Sequence, residues 1–237
     1  LSIRNNTAYF SGGGIYLDNS TPEFSEENEF LCSIYNNEAP LGKDIVSYDT
    51  FIEATLDTFT VMFPTSVYAH PLDNFNIGAL NSILEQTPND IYISTNGDDI
   101  IGNGTESNPF ASLTHALSVA ISNNEVPLTI FIDEGYYNNN EDFPISLIDN
   151  IKIKGSGAES TIIDGNRQSR IFNLNNLNNV IIEDISIKDG KVQSSCDASE
   201  SFTAIGGAIK IEDSSNITFK NTAMYDNSLV GGFFTEQ

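Results

Sequence analysis

The chain has 237 residues, of which 33 are acidic and 10 basic, giving a formal charge of −23. A field of that sign repels nucleic acid and anionic membrane surfaces, so both are excluded as partners, and acidic polysaccharides are disfavoured unless calcium bridges the two. Apolar residues make up 39 % of the chain, which is enough for a core. No stretch reaches the ~18 apolar residues that a membrane span needs.

Residues 1–48 contain two copies of one short pattern. The segment 2–6 (SIRNN) returns at 33–37 (SIYNN), an offset of 31 residues, and each copy leads through glycine to a second apolar run. Short strands at such a period, with no helix between them, predict a solenoid of strands. The run 11–14 (SGGG) is predicted to turn a corner beside the stack, where a Cβ would clash.

Residues 49–90 lose this repeat. They carry Pro64, Pro71 and Pro88 between apolar islands, which predicts an irregular connector with short strands of its own.

A strand is predicted next at 91–94, followed by one amphipathic helix. Asn108 suits an N-cap and Pro109 the first helical position, while Phe110, Leu113 and Leu117 fall on one face. The helix is expected to cover the open apolar end of a second strand stack.

The rest of the chain returns to short β-branched strands. Segments 151–155, 161–165, 170–174 and 179–190 alternate apolar and polar residues and end on Asn, Asp or Gly. A further copy of the opening pattern follows at 218–223 (TFKNTA). Inward columns of Ile, Val and Phe, with Asn at the bends, are the expected arrangement.

The run from Ile91 through Gly104-Thr105 and Asn108-Pro109-Phe110 to Leu117 resembles the opening of secreted bacterial right-handed parallel β-helices of the pectin-lyase-like superfold. The resemblance continues through 128–137 and 161–165. Gly206-Gly207-Ala208-Ile209 and the later Phe-Lys-Asn resemble repeats of the polymorphic outer-membrane protein type, although those repeats usually carry Phe-x-x-Asn. The resemblance implies an all-β, right-handed parallel β-helix with one capping helix and an extracellular or cell-surface location.

Three segments are therefore predicted: closing coils of a β-helix at 1–48, a connector at 49–90, and the cap and first coils of a second β-helix at 91–237. Such a chain is either a piece of a larger tandem protein, or its copies stack tail to head. The predicted self-assembly surface contains Leu1, Ile3, Asn5, Asn6, Leu229, Gly231, Gly232 and Phe233.

Catalytic chemistry finds little support in the residue pattern. Candidate carboxylates Glu183, Asp184, Asp189 and Asp213 show no convergent spacing, and no cofactor motif is present. His70 and His115 are isolated and are expected to be structural. The acidic pairs Asp98-Asp99, Asp133-Glu134 and Glu141-Asp142 leave structural calcium open.

Cys32 and Cys196 are too few for a disulfide scaffold. One disulfide, within or between chains, and two free thiols remain alternatives.

We expect a non-catalytic extracellular structural or adhesive scaffold. The alternatives are a polysaccharide lyase or hydrolase of the same superfold, and a passive glycan-binding module that uses aromatics such as Tyr136 and Tyr137 as stacking platforms. Convergence of acidic and basic side chains on one exposed face of residues 150–230 would favour an enzyme.

Overall fold

The computed structural model describes residues 1–24, 31–121, 126–193 and 206–230. It shows short parallel strands stacked into a β-helix, with one short helix, and confirms the predicted fold class. The strands form two stacks, which we call the first stack (residues 1–84) and the second stack (residues 91–230).

The first stack contains seven strands and a 3₁₀ turn at Leu72–Asn74. The strands are β1 (Ser2–Arg4), β2 (Ile15–Leu17), β3 (Ser33–Tyr35), β4 (Ile45–Ser47), β5 (Ile52–Val61), β6 (Ala69–His70) and β7 (Phe75–Leu84). Two parallel sheets result, in the orders β1-β3-β5-β7 and β2-β4-β6. The predicted connector is thus more regular than expected, because β5 and β7 are ten residues each and extend the first sheet. The boundaries at 48 and 90 stay predictions.

The second stack begins with β8 and the helix and continues through four coils. Its elements are β8 (Ile91–Ile93), α1 (Leu113–Val119), β9 (Leu128–Ile132), β10 (Gly135–Tyr137), β11 (Ile145–Ser146), β12 (Ile151–Gly155), β13 (Thr161–Asp164), β14 (Phe172–Asn175), β15 (Asn178–Glu183), β16 (Ser186–Lys188), β17 (Lys191–Gln193), β18 (Ile209–Glu212), β19 (Ser215–Lys220), β20 (Ala223–Tyr225) and β21 (Ser228–Val230). Their sheet orders are β19-β15-β12-β9-β8, β10-β13-β16-β20, β11-β14-β18 and β17-β21.

In-register columns of apolar side chains form the interior of the second stack. One column runs through Ile91, Ile130, Ile153, Ile182 and Phe219, each paired with the next. The four isoleucines are nearly or fully buried. Burying one such side chain stabilises the fold by roughly 1.5–3 kcal/mol, so each column holds its coils in register.

Asparagine and aspartate make the bends between strands. They occupy every described non-glycine position with positive φ except Arg167, for example Asn36 at 54° and Asp184 at 59°, and of these only Asn179 and Asn216 lie inside a strand. These side chains tolerate left-handed backbone because they hydrogen-bond locally. Some also join successive coils, as where Asn6 Nδ2 donates to Asn37 Oδ1 at 2.9 Å.

The glycines at the start serve the close approach of two coils. Gly12 has φ of 64°, and a Cβ on Gly13 would lie 2.5 Å from the carbonyl oxygen of Lys43 in the next coil. Only glycine fits here without displacing backbone, as the sequence predicted.

The helix begins at Leu113, four residues after the predicted first helical position, Pro109. Phe110 donates its N–H to the Tyr92 carbonyl at 3.0 Å, which keeps the chain extended beside β8. The N-cap is Ser112, whose Oγ accepts from the His115 N–H at 3.0 Å, and the prediction of Asn108 is wrong. Asn108 instead donates its side-chain amide to the Ile101 carbonyl. Leu113 and Leu117 are buried, and α1 contacts β8 and β11 at the beginning of the second stack.

The two stacks pack side by side and share one hydrophobic core. Ser66 Oγ donates to the Leu147 carbonyl at 3.1 Å, and Ser146 Oγ donates to the Pro40 carbonyl at 2.7 Å. His70 Nε2 lies 3.3 Å from Asn175 Oδ1. The outward side of β11 and β14 is therefore covered by the first stack.

Candidate functional site

The predicted assembly residues at the beginning of the chain lie on an open sheet edge. β1 and β2 are the edge strands of their two sheets. Leu1 is 78 % exposed, and Tyr9 and Phe10, in the segment between β1 and β2, are also exposed. Ile3 is half-buried above Ile34, while Asn5 forms the left-handed bend. We call this surface, formed by β1, β2 and the bend after β1, the start edge.

The second open edge lies at the last coil. It is formed by β18, β19, β20 and β21, each the final strand of its sheet, and we call it the finish edge. Leu229 is 48 % exposed, and Ile211, Met224 and Val230 are exposed as well. Of the predicted assembly residues, Gly231, Gly232 and Phe233 lie outside the described residues.

The start edge and the finish edge have matching strand patterns. Residues 1–5 (LSIRN) and 217–221 (ITFKN) both read as a strand that ends on a left-handed asparagine, with φ of 57° at Asn5 and 44° at Asn221. The structure places them on different sheets, where β1 pairs with β3 and β19 pairs with β15. Each keeps one side of the strand unpaired among the described residues.

Charged side chains do converge on the outward side of β13 and β16. We call the group of Asp164, Arg167, Lys188 and Asp189 the charged cluster. Lys188 Nζ lies 3.3 Å from Asp164 Oδ2 and 3.0 Å from Asp189 Oδ2, and Arg167 Nε lies 2.8 Å from Asp189 Oδ1. The two carboxylates and the lysine are 14–20 % exposed.

Every member of the charged cluster is paired with an opposite charge. Hydrogen bonds from Arg167 and Lys188 lower the pKa of Asp189, and the Asp189 hydrogen bond raises the pKa of Lys188 above its usual range. Lys188 is therefore held protonated and is poorly suited to abstract a proton. The sequence analysis treated Asp189 as an isolated acid, because Asp164 and Arg167 lie 22–25 positions away in the chain and come close to it only through the pairing of β13 with β16.

The remaining candidate acids have separate partners. Glu183 lies 2.6 Å from Lys152 Nζ and 3.7 Å from Lys154 Nζ. Asp184 accepts from Asn221 Nδ2 at 2.7 Å, and Asp213 forms a left-handed bend. They do not meet as a carboxylate pair of the kind that hydrolases use.

Two buried carboxylates have roles that the sequence did not predict, although Glu141 was considered with Asp142 as a possible calcium-binding pair. Glu141 accepts from the Leu113 N–H at 2.7 Å, the Thr114 N–H at 2.9 Å and Thr114 Oγ1 at 2.6 Å. Burial raises its pKa, although these three hydrogen bonds act in the opposite direction. Glu141 thus anchors the beginning of α1, a structural role that no local motif around residue 141 signals.

Asp44 is the second. It is fully buried in the first stack, accepts from Asn37 Nδ2 at 2.9 Å, and has no partner at Oδ2. Burial raises its pKa to about 6.

A cleft of about 400 Å³ lies between the stacks, lined by apolar residues that include Pro40, Val67, Leu117 and Phe143. The ion pair of Lys43 and Glu38, with 2.9 Å between Nζ and Oε2, borders it.

The predicted aromatic platform is only half present. Tyr136 is exposed, with Lys188 Nζ 5.9 Å from its ring centroid. Tyr137 is buried, and its hydroxyl donates to the Asp133 carbonyl at 3.1 Å.

Among the described residues, no three His, Cys, Asp or Glu side chains are grouped to hold a metal ion. Within the same residues no helix has the length and apolar character of a membrane span. Cys32 is a free thiol, and Cys196 lies outside the described residues.

The stacked parallel sheets define the molecule as a parallel β-helix protein. The family DUF1565, described as a protein of unknown function, matches residues 95–235. That range is more than half of the chain, and the chain belongs to this family. No curated protein and no solved structure is significantly similar to it.

Proposed function

We propose that the protein is a non-catalytic structural or adhesive scaffold at the cell surface or outside the cell. Its stacked coils form a stiff body, and a further coil continues the stack at the start edge and the finish edge. That coil belongs either to a longer chain or to a second copy bound head to tail. The resemblance to secreted pectin-lyase-like β-helices supports the extracellular location.

The observation that carries this proposal is the pair of open, pattern-matched edges. Unpaired parallel strands with exposed apolar side chains are poorly solvated, and pairing them with another coil satisfies both the backbone and the apolar surface. The two edges are different surfaces. β1 at the start edge pairs with a strand that comes later in the chain, β3, whereas β19 at the finish edge pairs with a strand that comes earlier, β15. A contact between such different surfaces is heterologous and propagates unless it closes into a ring.

Electron microscopy of the purified chain tests the head-to-tail arrangement. Fibres with a regular axial repeat are expected, and Leu229→Lys should shorten them because it places a charge on the finish edge. The matched control is Ile100→Lys, which changes an exposed loop residue of the second stack. If the unsubstituted chain gives monodisperse single particles, head-to-tail assembly is refuted.

A polysaccharide lyase or hydrolase is the second candidate, since the charged cluster shows the convergence expected of an enzyme. Incubation with a panel of neutral and acidic polysaccharides, with and without calcium, should leave their length unchanged. Depolymerisation that disappears in Lys188→Ala would overturn the non-catalytic proposal and assign the activity to the cluster.

A further inference from the structure

His70 is a buried histidine at the contact between the two stacks. It is the last residue of β6, is 1 % exposed, and its Nε2 lies 3.3 Å from Oδ1 of Asn175, the last residue of β14. Because β6 belongs to the first stack and β14 to the second, this hydrogen bond crosses between them. Histidine is the side chain whose charge changes between about pH 5 and 8, which makes this contact a candidate for control by protons.

The position of the proton on the His70 ring follows from its neighbours. Asn175 Nδ2 donates to Glu212 Oε2 at 2.8 Å, which leaves Asn175 Oδ1 to face His70. An amide oxygen can only accept, so His70 Nε2 carries the proton and donates the hydrogen bond, and in the neutral ring Nδ1 carries the lone pair. Lys210 Nζ donates to the same Glu212 oxygen at 2.6 Å and fixes the other end of this chain of hydrogen bonds.

The second ring nitrogen, Nδ1, is buried and has no hydrogen-bond partner. In the neutral ring it lacks one hydrogen bond as an acceptor, whereas a second proton would add a buried donor and a positive charge. The Tyr48 ring lies at 78° to the His70 ring with 6.0 Å between centroids, and Val46 pairs with His70 in the neighbouring strand β4. Protonation therefore places a charge in surroundings that suit the neutral ring.

The charged groups around the ring are bonded elsewhere or lie in solvent. The titratable groups of the described elements packed around His70 are Lys43, Asp44, Tyr48, Tyr68 and Asp73 in the first stack and Lys210 and Glu212 in the second. Asp44 is bonded to Asn37, and Asp73 is exposed. Lys43 is paired with Glu38, and Lys210 with Glu212. Burial raises the pKa of both tyrosines, so they stay neutral where a histidine titrates.

Acid should therefore weaken this contact. Burial lowers the pKa of His70 from 6.5 to about 4, although the Asn175 hydrogen bond acts in the opposite direction. The neutral ring thus stabilises the closed contact fully above the usual pKa of a histidine, and this contribution is lost as the pH falls through the window between those two values. A protonated ring regains water when β6 and β14 separate, and the pairing of β6 with β4 and of β14 with β11 and β18 need not break.

We propose that the contact between β6 and β14 is a pH-sensitive switch, closed while His70 is neutral and opened when its Nδ1 takes up a proton. The two stacks are then held together near neutral pH and separate at this contact in acid, while each keeps its own strands paired. The switch is part of the fold and does not depend on whether the start edge and the finish edge bind a further coil, so it is separate from the proposed scaffold function.

Urea denaturation of the parent chain and of His70→Gln at a series of pH values tests the role of the proton. The glutamine amide can donate to Asn175 but cannot be protonated. The unfolding equilibrium constant of the parent, divided by that of His70→Gln, should be constant above about pH 7 and rise about tenfold per pH unit between about pH 6 and about pH 4. Asp44 titrates in the same range with the opposite sign, but it is present in both chains and cancels in the ratio. His115→Gln is the control, and its slope should be smaller because His115 is only half-buried. A ratio for His70→Gln that stays constant at every pH would overturn the proposal.

A thiol on the same face of β14 tests whether the contact opens locally. Asn173→Cys places it two residues before Asn175, and its reaction with dithiodipyridine, which proceeds in acid, is followed with His70 and with His70→Gln. The reaction of the parent thiols, Cys32 and Cys196, is subtracted. Between about pH 7 and about pH 4.5, the rate with His70 should rise at least about tenfold relative to the rate with His70→Gln.

The matched control is Val180→Cys, which lies fully buried in the core of the second stack and should stay unreactive at the same pH. Equal rates for Asn173→Cys with His70 and with His70→Gln in acid would overturn the proposal. Reaction of Val180→Cys as fast as that of Asn173→Cys would overturn it as well, because the chain would then unfold as a whole.

Discussion

The first and second stacks are both parallel solenoids, but different residues fill and close them. The second stack is lined by columns of isoleucine and is closed at its beginning by α1. The first stack buries Asn37 and Asp44 among its apolar side chains, whereas the buried carboxylate Glu141 of the second stack serves α1, and among the described residues the first stack ends on β7, which pairs only with β5. Apolar columns stabilise a stack but do not determine which surfaces it contacts. Buried polar groups and open strand edges lower stability, and we expect them where they orient a coil or form a contact.

The largest expected effect comes from the apolar columns. Ile153→Ala in the second stack and Ile34→Ala in the first should each lower the free energy of unfolding by about 2–5 kcal/mol, because both side chains are fully buried. Urea denaturation measures this. Since the stacks share one core, both variants should show a single transition at a lower midpoint. Two separated transitions would show that the stacks unfold independently. Ile83→Ala, on the exposed side of β7, is the control.

Asp44→Asn should stabilise the first stack at neutral pH. In the folded protein, burial raises the pKa of Asp44 to about 6, above the value of 3.8 that is usual for an aspartate. The protonated form therefore stabilises the fold fully below about pH 4, and that contribution is lost as the pH rises through about 6. Asparagine keeps the oxygen that accepts from Asn37 but cannot ionise. The gain should be about 2–3 kcal/mol at pH 7–8 and near zero at about pH 3.5.

Thermal unfolding across pH measures this gain. Asp49→Asn is the control, since Asp49 is exposed. A gain for Asp44→Asn that is equal at all pH values would contradict the burial argument.

A pair of glycine substitutions compares the crowded first coil with the open edge. Gly13→Ala should cost about 1–3 kcal/mol, because its Cβ would lie 2.5 Å from the Lys43 carbonyl oxygen. Gly78→Ala on β7 meets nothing within 4 Å and should be neutral or stabilise by about 0.5 kcal/mol. Chemical denaturation of both variants ranks them. Equal costs would mean that the first coil relaxes to accept a methyl group.

The smallest effect is expected at the cap of the second stack. Glu141→Gln should lower stability by about 1–2 kcal/mol, because one acceptor oxygen that serves the first turn of α1 becomes a donor. Hydrogen exchange should rise in α1 before it rises in β12 or β15. The exposed Glu134→Gln is the control, and an unchanged exchange rate in α1 would refute the anchoring role.

Most of the fold could be predicted from the sequence, whereas only part of the candidate site could. Alternation in segments such as 151–155 and 179–183, with Asn and Gly at the bends, predicted parallel strands that the structure confirms. The helix start was wrong by four residues because the hydrogen bond from the Phe110 N–H to the Tyr92 carbonyl overrides the local capping preference. The sequence also did not predict that β5 and β7 are ten residues long. Pro64 and Pro71 favoured an irregular connector with short strands, but both prolines lie between the two long strands.

The charged cluster and the buried acids lay beyond sequence reasoning. Asp164 and Lys188 are 24 positions apart in the chain and become neighbours only because β13 and β16 pair. Glu141 reaches the N–H groups of Leu113 and Thr114 across 27–28 positions. Which side chains meet in successive coils depends on how many residues each bend contains, and the alternation of apolar and polar residues does not encode that number.

The sequence by itself determined that short strands stack in parallel, because period-two alternation buries one face and asparagine permits the sharp bends between coils. Only the tertiary structure decided that the stacks lie side by side on one core, and that β7 is the last of the described strands in its sheet. The physical reason is that stacking within a coil column follows from local pattern, while packing between columns depends on side chains from distant segments meeting at one surface.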